Sequence, residues 1–233
     1  MWGFINCTHY YMSFGIPKVV LFDANLTVGT NESVGLLIPP GQGKSTIIRL
    51  LAGADHPRSG TVVRDERGWP LGYGGAFVGE MTGEENVHNV AQMVGLDPLE
   101  MSAFCLDFCG LGNDYFQPLK LWTGGMRGRL AFAVSFAIPA STYLADEKIA
   151  LGDESFRQKC LVTLSDRLRT AGLILVASNP RITKDVCERH GVLDRGTFIM
   201  CDSHEEASDL FTMSAQQSGA DEFEDEIASF DLA

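Results

Sequence analysis

The sequence predicts an α/β fold: a sheet covered by helices, with strands leading in from the N-terminus and a helical insert. Three observations predict it. Short apolar runs bounded by turn residues fill the first forty positions, as strands do. The apolar run Val34–Ile38 breaks directly into Gly41-Gln42-Gly43-Lys44-Ser45-Thr46 and then into helical spacing. Further on, helical spacing alternates with two buried-strand runs, Thr142–Ala145 and Leu173–Ala177.

Taken in order, Lys18–Phe22, Leu26–Val28 and Val34–Ile38 read as short strands leading into the glycine loop. A helix then starts at Lys44, buries Ile47, Ile48, Leu50 and Leu51, and stops at Gly53. From Gly83 to Gly112 the apolar residues fall at helical spacing: Val87, Val90, Ala91 and Val94, then Leu99, Phe104, Leu106 and Phe108. Another helix runs from Met126 to Ile138, ended by Pro139, so the helical insert covers about 83–138. Between the strands Thr142–Ala145 and Leu173–Ala177, one helix face carries Phe156, Cys160, Leu161, Leu164 and Leu168. Helical crossovers between strands make parallel pairing the natural arrangement. The domain is expected to span 1–217. The tail, 218–233, holds six acidic residues and no basic one, and is expected to be mobile or to act as a docking segment.

Composition narrows the function. A chain of 233 residues with 45% hydrophobic content builds a sizeable core. Its net charge of −12 argues against nucleic acid as a partner, because phosphate backbones need clustered Lys and Arg. A protein partner is the expectation. No apolar run reaches the 18 or so residues of a bilayer span, and Met1-Trp2-Gly3-Phe4 lacks the basic start of a signal segment. A membrane role would therefore run through a partner. The six scattered cysteines form no Cys-x-x-Cys pair and fit a reducing cytosol. Cys105 and Cys109 share one helix face, where core packing is the expected role since no histidine pair accompanies them.

The loop carries the chemistry. Phosphate oxygens need several convergent donors, and Gly41 and Gly43 let backbone N–H groups approach closely while the following helix adds its N-terminal dipole. Lys44 would reach the β- and γ-phosphates of a nucleoside triphosphate, and Ser45 would hold Mg²⁺. The full pattern of such a P-loop places glycine six residues before the lysine, where this chain has Ile38, followed by Pro39 and Pro40. A β-branched residue resists positive φ and proline has no N–H, so the start of the loop is expected to differ and to lose up to two donors. A second signal is Tyr143-Leu144-Ala145-Asp146-Glu147, an apolar strand ending in two carboxylates. There Asp146 would serve Mg²⁺ and Glu147 would orient or deprotonate an attacking water, although Asp-Glu after a strand also caps helices.

Between these signals lies Leu121-Trp122-Thr123-Gly124-Gly125-Met126-Arg127, a small-residue turn opening a helix. The order of phosphate loop, helical insert, Thr-Gly-Gly, strand with Asp-Glu, and a loop ending in Asp153 resembles the nucleotide-binding domain of ABC transporters. Trp122–Met126 sits where that family has its Leu-Ser-Gly-Gly-Gln signature, and Ala150–Asp153 looks like its D-loop. More narrowly, Trp69–Gly72, Thr82–Val87, Gly125–Phe132 and Gly152–Cys160 look like the ATP-binding subunit of capsular-polysaccharide exporters, over roughly residues 5–205. The resemblance implies the α/β P-loop NTPase fold of an ABC-type nucleotide-binding domain, with a mixed sheet, an N-terminal antiparallel β lobe and an inserted α-helical subdomain. It implies an ATPase motor with ATP and Mg²⁺ as ligands, peripheral on the cytosolic face of the inner membrane and bound to a separate membrane-spanning permease. It implies that the insert from Gly83 to about Phe116 receives that permease. It further implies a head-to-tail homodimer, each ATP held by Gly41, Gln42, Gly43, Lys44, Ser45 and Thr46 of one copy and by Thr123, Gly124 and Gly125 of the other. The helix opened by Gly124 would aim backbone donors at the γ-phosphate. An ordinary helix cap by Thr123 is the plainer role. Tyr11 falls where the family stacks an aromatic on adenine, with Tyr10 as the neighbour that could replace it.

Two further departures join Ile38. Val78 occupies the place of a glutamine that coordinates Mg²⁺ or water, and valine does neither. Asn179 replaces the switch histidine; its amide still donates a hydrogen bond but carries no charge. Slow hydrolysis is expected, with Glu147 and Asn179 as the catalytic candidates. A dimerising regulatory or structural subunit with little turnover is the competing reading. An ABC-type ATPase of DNA repair or translation would want basic surface or tandem domains, and export of O-antigen or teichoic acid is a sibling of capsule export.

Overall fold

The computed structural model describes residues 1–13, 16–64 and 68–216, so the acidic tail and the expectation attached to it lie outside the described residues. Two compact units are distinct, the first within residues 1–65 and 173–233, the second within 66–172. Among the described residues, no helix is long and apolar enough to cross a membrane.

In the first unit β1 (Trp2–Ser13) pairs antiparallel with β2 (Ile16–Val28), from Trp2 opposite Val28 to Ser13 opposite Ile16. The turn expected between Lys18–Phe22 and Leu26–Val28 is absent, because Asp23-Ala24-Asn25 stays within one strand. The register shifts in the partner strand between Phe4 and Cys7 and between Cys7 and His9. Asp23 has φ 46°, its N–H donates to Thr8 Oγ1 at 3.0 Å, and Asn25 Nδ2 returns to the Asp23 carbonyl at 3.0 Å. Polar residues that read as a turn build a bulge instead.

β3 (Ser33–Leu37) is buried at every position and leads to α1 (Lys44–Leu51), which buries the expected Ile47, Ile48, Leu50 and Leu51. Gly53 ends it in a Schellman arrangement: its N–H donates to Leu50 O at 3.2 Å, and Ala54 N–H to Arg49 O at 2.9 Å. β4 (Ser59–Val63) then joins the other edge of β1 to give an antiparallel lobe of order β2-β1-β4.

The second unit begins with β5 (Gly68–Pro70). Residues 83–112, expected at helical spacing, hold two helices, α2 (Gly83–Val94) and α3 (Pro98–Cys109). Gly95 closes the first, and Asp97 Oδ1 accepts from Leu99 N–H and Glu100 N–H, both at 2.9 Å, to cap the second. That break resets the helical phase. Leu99, expected on the apolar face, is 72% exposed, and Met101, Cys105, Phe108 and Cys109 carry the buried face of α3. α4 (Gly124–Ala137) starts two residues before the expected Met126 and ends before Pro139. β6 (Thr142–Asp146) pairs parallel with β5, and α5 (Glu154–Arg167) follows.

Aromatic rings fill this unit. Phe108 lies 5.5 Å from Phe136 and 5.6 Å from Phe156, and Phe136 lies 6.3 Å from Tyr143. Burial pushes the Cys105 and Cys109 thiols well up, as packing residues rather than reactive thiolates.

The chain then returns to the first unit with β7 (Gly172–Ala177), α6 (Pro180–Lys184), β8 (Arg189–Asp194) and β9 (Thr197–Cys201). β3 pairs parallel with both β7 and β8, while β9 pairs antiparallel with β8, so the sheet is mixed as expected. Residues 204–216 are helical, and Ala207 and Phe211 pack on Leu37 and Val192.

Candidate functional site

The loop after β3 keeps the strand going for one more residue. Ile38 is buried and its N–H donates to Ala177 O at 2.9 Å, so the position without glycine is spent on the sheet and is not forced into positive φ. The left-handed conformations fall on Gly41 (φ 79°) and Gly43 (φ 93°). Gln42 N–H donates to Pro39 O at 3.2 Å, which tightens the turn. Gly43 has no room for a side chain: a Cβ there would lie 2.5 Å from Val20 Cγ1 on β2. Only glycine meets both demands. Gly43 also stands at the N-cap of α1, where no side chain caps the helix, so its first turn faces the loop. Lys44 and Thr46 are half-buried and Ser45 is exposed.

Asn179 follows β7, the strand that neighbours β3 with Ala177 opposite Leu37, so the loop and Asn179 leave the same end of the sheet. Its Oδ1 accepts from Arg181 N–H at 3.0 Å as the cap of α6, which turns the carbonyl inward and leaves the amide NH₂ to donate. On β1, Tyr11 is 38% exposed and stands opposite Lys18, whereas Tyr10 stands opposite Val19 with the Arg58 guanidinium 5.1 Å over its ring. Tyr11 is the more open platform.

In the second unit Asp146 ends β6, and Glu147 adopts φ 60° with Lys148 N–H donating to Asp146 O at 2.6 Å. This is the strained form of a γ-turn. The alternative of a helix cap does not hold for this pair, because the next helix begins at Glu154 and is capped by Asp153. Asp153 Oδ1 accepts from Phe156 N–H at 3.0 Å, and its other oxygen pairs with Arg129 of α4, whose guanidinium lies 4.7 Å over the Phe156 ring. The Phe156 N–H, and then the Arg129 charge, hold the Asp153 carboxyl below its ordinary range. Thr123 Oγ1 accepts from Met126 N–H at 3.2 Å and so does cap α4. Capping leaves the helix start open: among the described residues, apart from its chain neighbours and the helix's own backbone, no atom lies within 4 Å of where a Gly124 Cβ would sit, and Thr123 Oγ1, at 3.8 Å, alone lies near that of Gly125.

One structural residue behind the candidate site was not expected from the sequence. Asn86 on α2 is buried and clamps the backbone of Val78: its Oδ1 accepts from Val78 N–H at 2.7 Å and its Nδ2 donates to Val78 O at 3.0 Å. The Val78 side chain itself is 42% exposed. A polar residue on the buried side of α2, next to Val87 and Val90, is the signal that marks it.

Ser45 and Asp146 are hard oxygen donors of the kind Mg²⁺ takes. Among the described residues, no group of three or more His, Cys, Asp or Glu forms a metal cage.

The comparisons bear on the family and the fold. A family model described as ABC transporter matches residues 21–150. The ATP-binding protein BexA of Haemophilus influenzae is 37% identical over 82% of this chain and 88% of its own length. The capsule polysaccharide export ATP-binding protein CtrD of Neisseria meningitidis serogroup B is 34% identical over 83% of this chain and 90% of its own. The polysialic acid transport ATP-binding protein KpsT of Escherichia coli is 33% identical over 78% and 83%. Among solved structures, the dimeric ATP-binding cassette MJ0796 in a post-hydrolysis state with ADP and Pi superposes with a TM-score of 0.72 at 20% identity, over 87% of this chain and all of that one. Another ATP-binding subunit of an ABC transporter gives 0.76 at 19% identity, over 91% and 99%. The fold is therefore shared with ATP-binding cassettes, and this chain belongs to the ABC transporter family.

Proposed function

We propose that the chain is the ATP-binding and hydrolysing motor subunit of an ABC transporter that exports capsular or related polysaccharide across the inner membrane. The observation that carries the motor reading is the loop Gly41–Thr46, with its two left-handed glycines running from β3 into the uncapped start of α1. The names of the similar proteins, capsule export and polysialic acid transport, supply the cargo class.

In this reading the N–H groups of the loop and the first turn of α1 hold the phosphates, Lys44 neutralises the β- and γ-oxygens, Thr46 adds a hydroxyl, and Tyr11 stacks on the adenine. Ser45 and Asp146 hold Mg²⁺, which supplies charge neutralisation on the phosphate oxygens. Glu147 orients the attacking water and takes its proton, and the Asn179 amide donates to the γ-phosphate. Thr123, Gly124 and Gly125 of a second copy close over the γ-phosphate, for which the open start of α4 suits them. Because Val78 coordinates nothing and Asn179 bears no charge, turnover is slow.

The partners follow from the same reading. A membrane-spanning permease at the cytosolic face docks on the part of the insert from Gly83 to about Phe116. An open cavity of about 460 Å³ beside that insert, lined by Phe77, Leu119, Lys120 and Arg127, is wide enough to take one of its side-chain clusters. Nucleic acid is not a partner of a chain with net charge −12.

The test is ATP turnover by the purified chain with Mg²⁺. Glu147→Gln is expected to lower it at least a hundredfold while nucleotide binding persists. An unchanged rate removes Glu147 from the mechanism. The second reading, a subunit that dimerises on ATP without productive turnover, is favoured by Ile38, Val78 and Asn179 together; it predicts nucleotide-dependent dimers and no Glu147-dependent phosphate release.

A further inference from the structure

We propose that Lys18 is a second cation for the phosphates of the bound nucleotide, working beside Lys44; this rests on reading Gly41–Thr46 as the ATP site. Side chains two apart on a strand share a face. On β2, Val20 lies against the backbone of Gly43, and Lys18, two residues earlier, lies against that of Gly41. Among the described residues, and apart from Gly41 and its two chain neighbours, the Lys18 ammonium is the one heavy atom within 4 Å of where a Gly41 Cβ would sit, at 3.9 Å. One face of β2 is thus laid along the loop, an apolar contact under one glycine and a cation beside the other.

Two further observations direct that cation toward a ligand. Lys18 stands directly opposite Tyr11, the open tyrosine, and directly opposed residues of an antiparallel pair project from the same face. A nucleotide stacked on Tyr11 with its phosphates in the loop passes Lys18 on the way. Lys18 is also half-buried and, among the described residues, has no carboxylate at ion-pair distance. In a chain of net charge −12 that is an ammonium with three donors and, among the described residues, no carboxylate counter-ion. A polyphosphate provides one.

The test is equilibrium binding of ATP, ADP and adenosine to the full chain by titration calorimetry, with Lys18→Met and Lys18→Arg. Loss of one charge-assisted contact is worth about tenfold in affinity. Lys18→Met is expected to weaken ATP and ADP about tenfold, to leave adenosine unchanged, and to flatten the salt dependence of ATP binding, while Lys18→Arg restores most of the affinity. Equal affinity of wild type and Lys18→Met for ATP overturns the proposal, and so does an equal loss for adenosine, since that marks a structural role. Failure of the unaltered chain to bind ATP at all overturns the nucleotide-site reading and this proposal with it. Melting temperatures without nucleotide, expected to match, separate binding from misfolding.

Discussion

Asn86→Ala probes the clamp under the loop of Val78. Asn86 is 1% exposed, and besides the two bonds to Val78 its Nδ2 lies 2.8 Å from Thr82 O and 3.3 Å from Met81 O. Alanine strands the Val78 N–H beside the space the amide leaves, which costs about 1–3 kcal/mol, and removes further bonds worth about 1 kcal/mol each. A total loss of about 3 kcal/mol is expected, read as a drop in urea midpoint at unchanged slope. Asn86→Asp sharpens the test. Its carboxylate still accepts from Val78 N–H but turns its other oxygen on the carbonyls of Val78, Met81 and Thr82, so it should destabilise most at neutral pH and recover as the pH approaches 5. A cost below about 1 kcal/mol for the alanine variant would refute the reasoning, since solvent or a shifted loop would then be satisfying those groups.

Asn179→His should raise ATP turnover several-fold through the contact with the γ-phosphate proposed above, while forfeiting the cap to Arg181 N–H at a cost of about 1 kcal/mol; an unchanged steady-state rate removes this position from catalysis. Stability should fall on acidification in two stages, followed by melting temperature against pH. Burial, with the His204 ring 4.8 Å away, lowers the basicity of His190, against a smaller opposing pull from the Thr183 carbonyl and Glu205. The unfolded chain therefore takes up a proton near pH 6.5 that the folded chain resists, and stability present above that pH is lost below it. Glu32, held down by the Gly29 N–H and by Arg189, adds a smaller loss below about pH 4.5. His190→Gln should erase the first stage alone.

What the sequence made legible was local. The strand into Gly41–Thr46, the helix from Lys44 and its stop at Gly53 follow from neighbours in the chain, and all three stand where expected. Asp23-Ala24-Asn25 misled because the same polar residues suit a turn and a bulge, and only pairing with β1 decides between them. Leu99 misled because Asp97 restarts the helix and resets the phase. β8 and β9 escaped notice although Arg195 (φ 45°) and Gly196 (φ 82°) make the tight hairpin turn that joins them, since Asp194-Arg195-Gly196 hides its turn glycine behind an arginine. The role of Asn86 depends on residues 78–82 curling back over α2, which no periodicity records.

Glu147 sits in a conformation its side chain does not favour, and the consequence concerns what the chain can be selected for. A glycine at 147 would relieve the γ-turn and raise stability by about 1 kcal/mol, yet it would delete the carboxylate. Thermostability screens of this protein should therefore recover Glu147→Gly or Glu147→Asn as gains, and each such gain should arrive with ATP turnover lost, because the most stable version of the turn lacks the carboxylate proposed above to orient the attacking water.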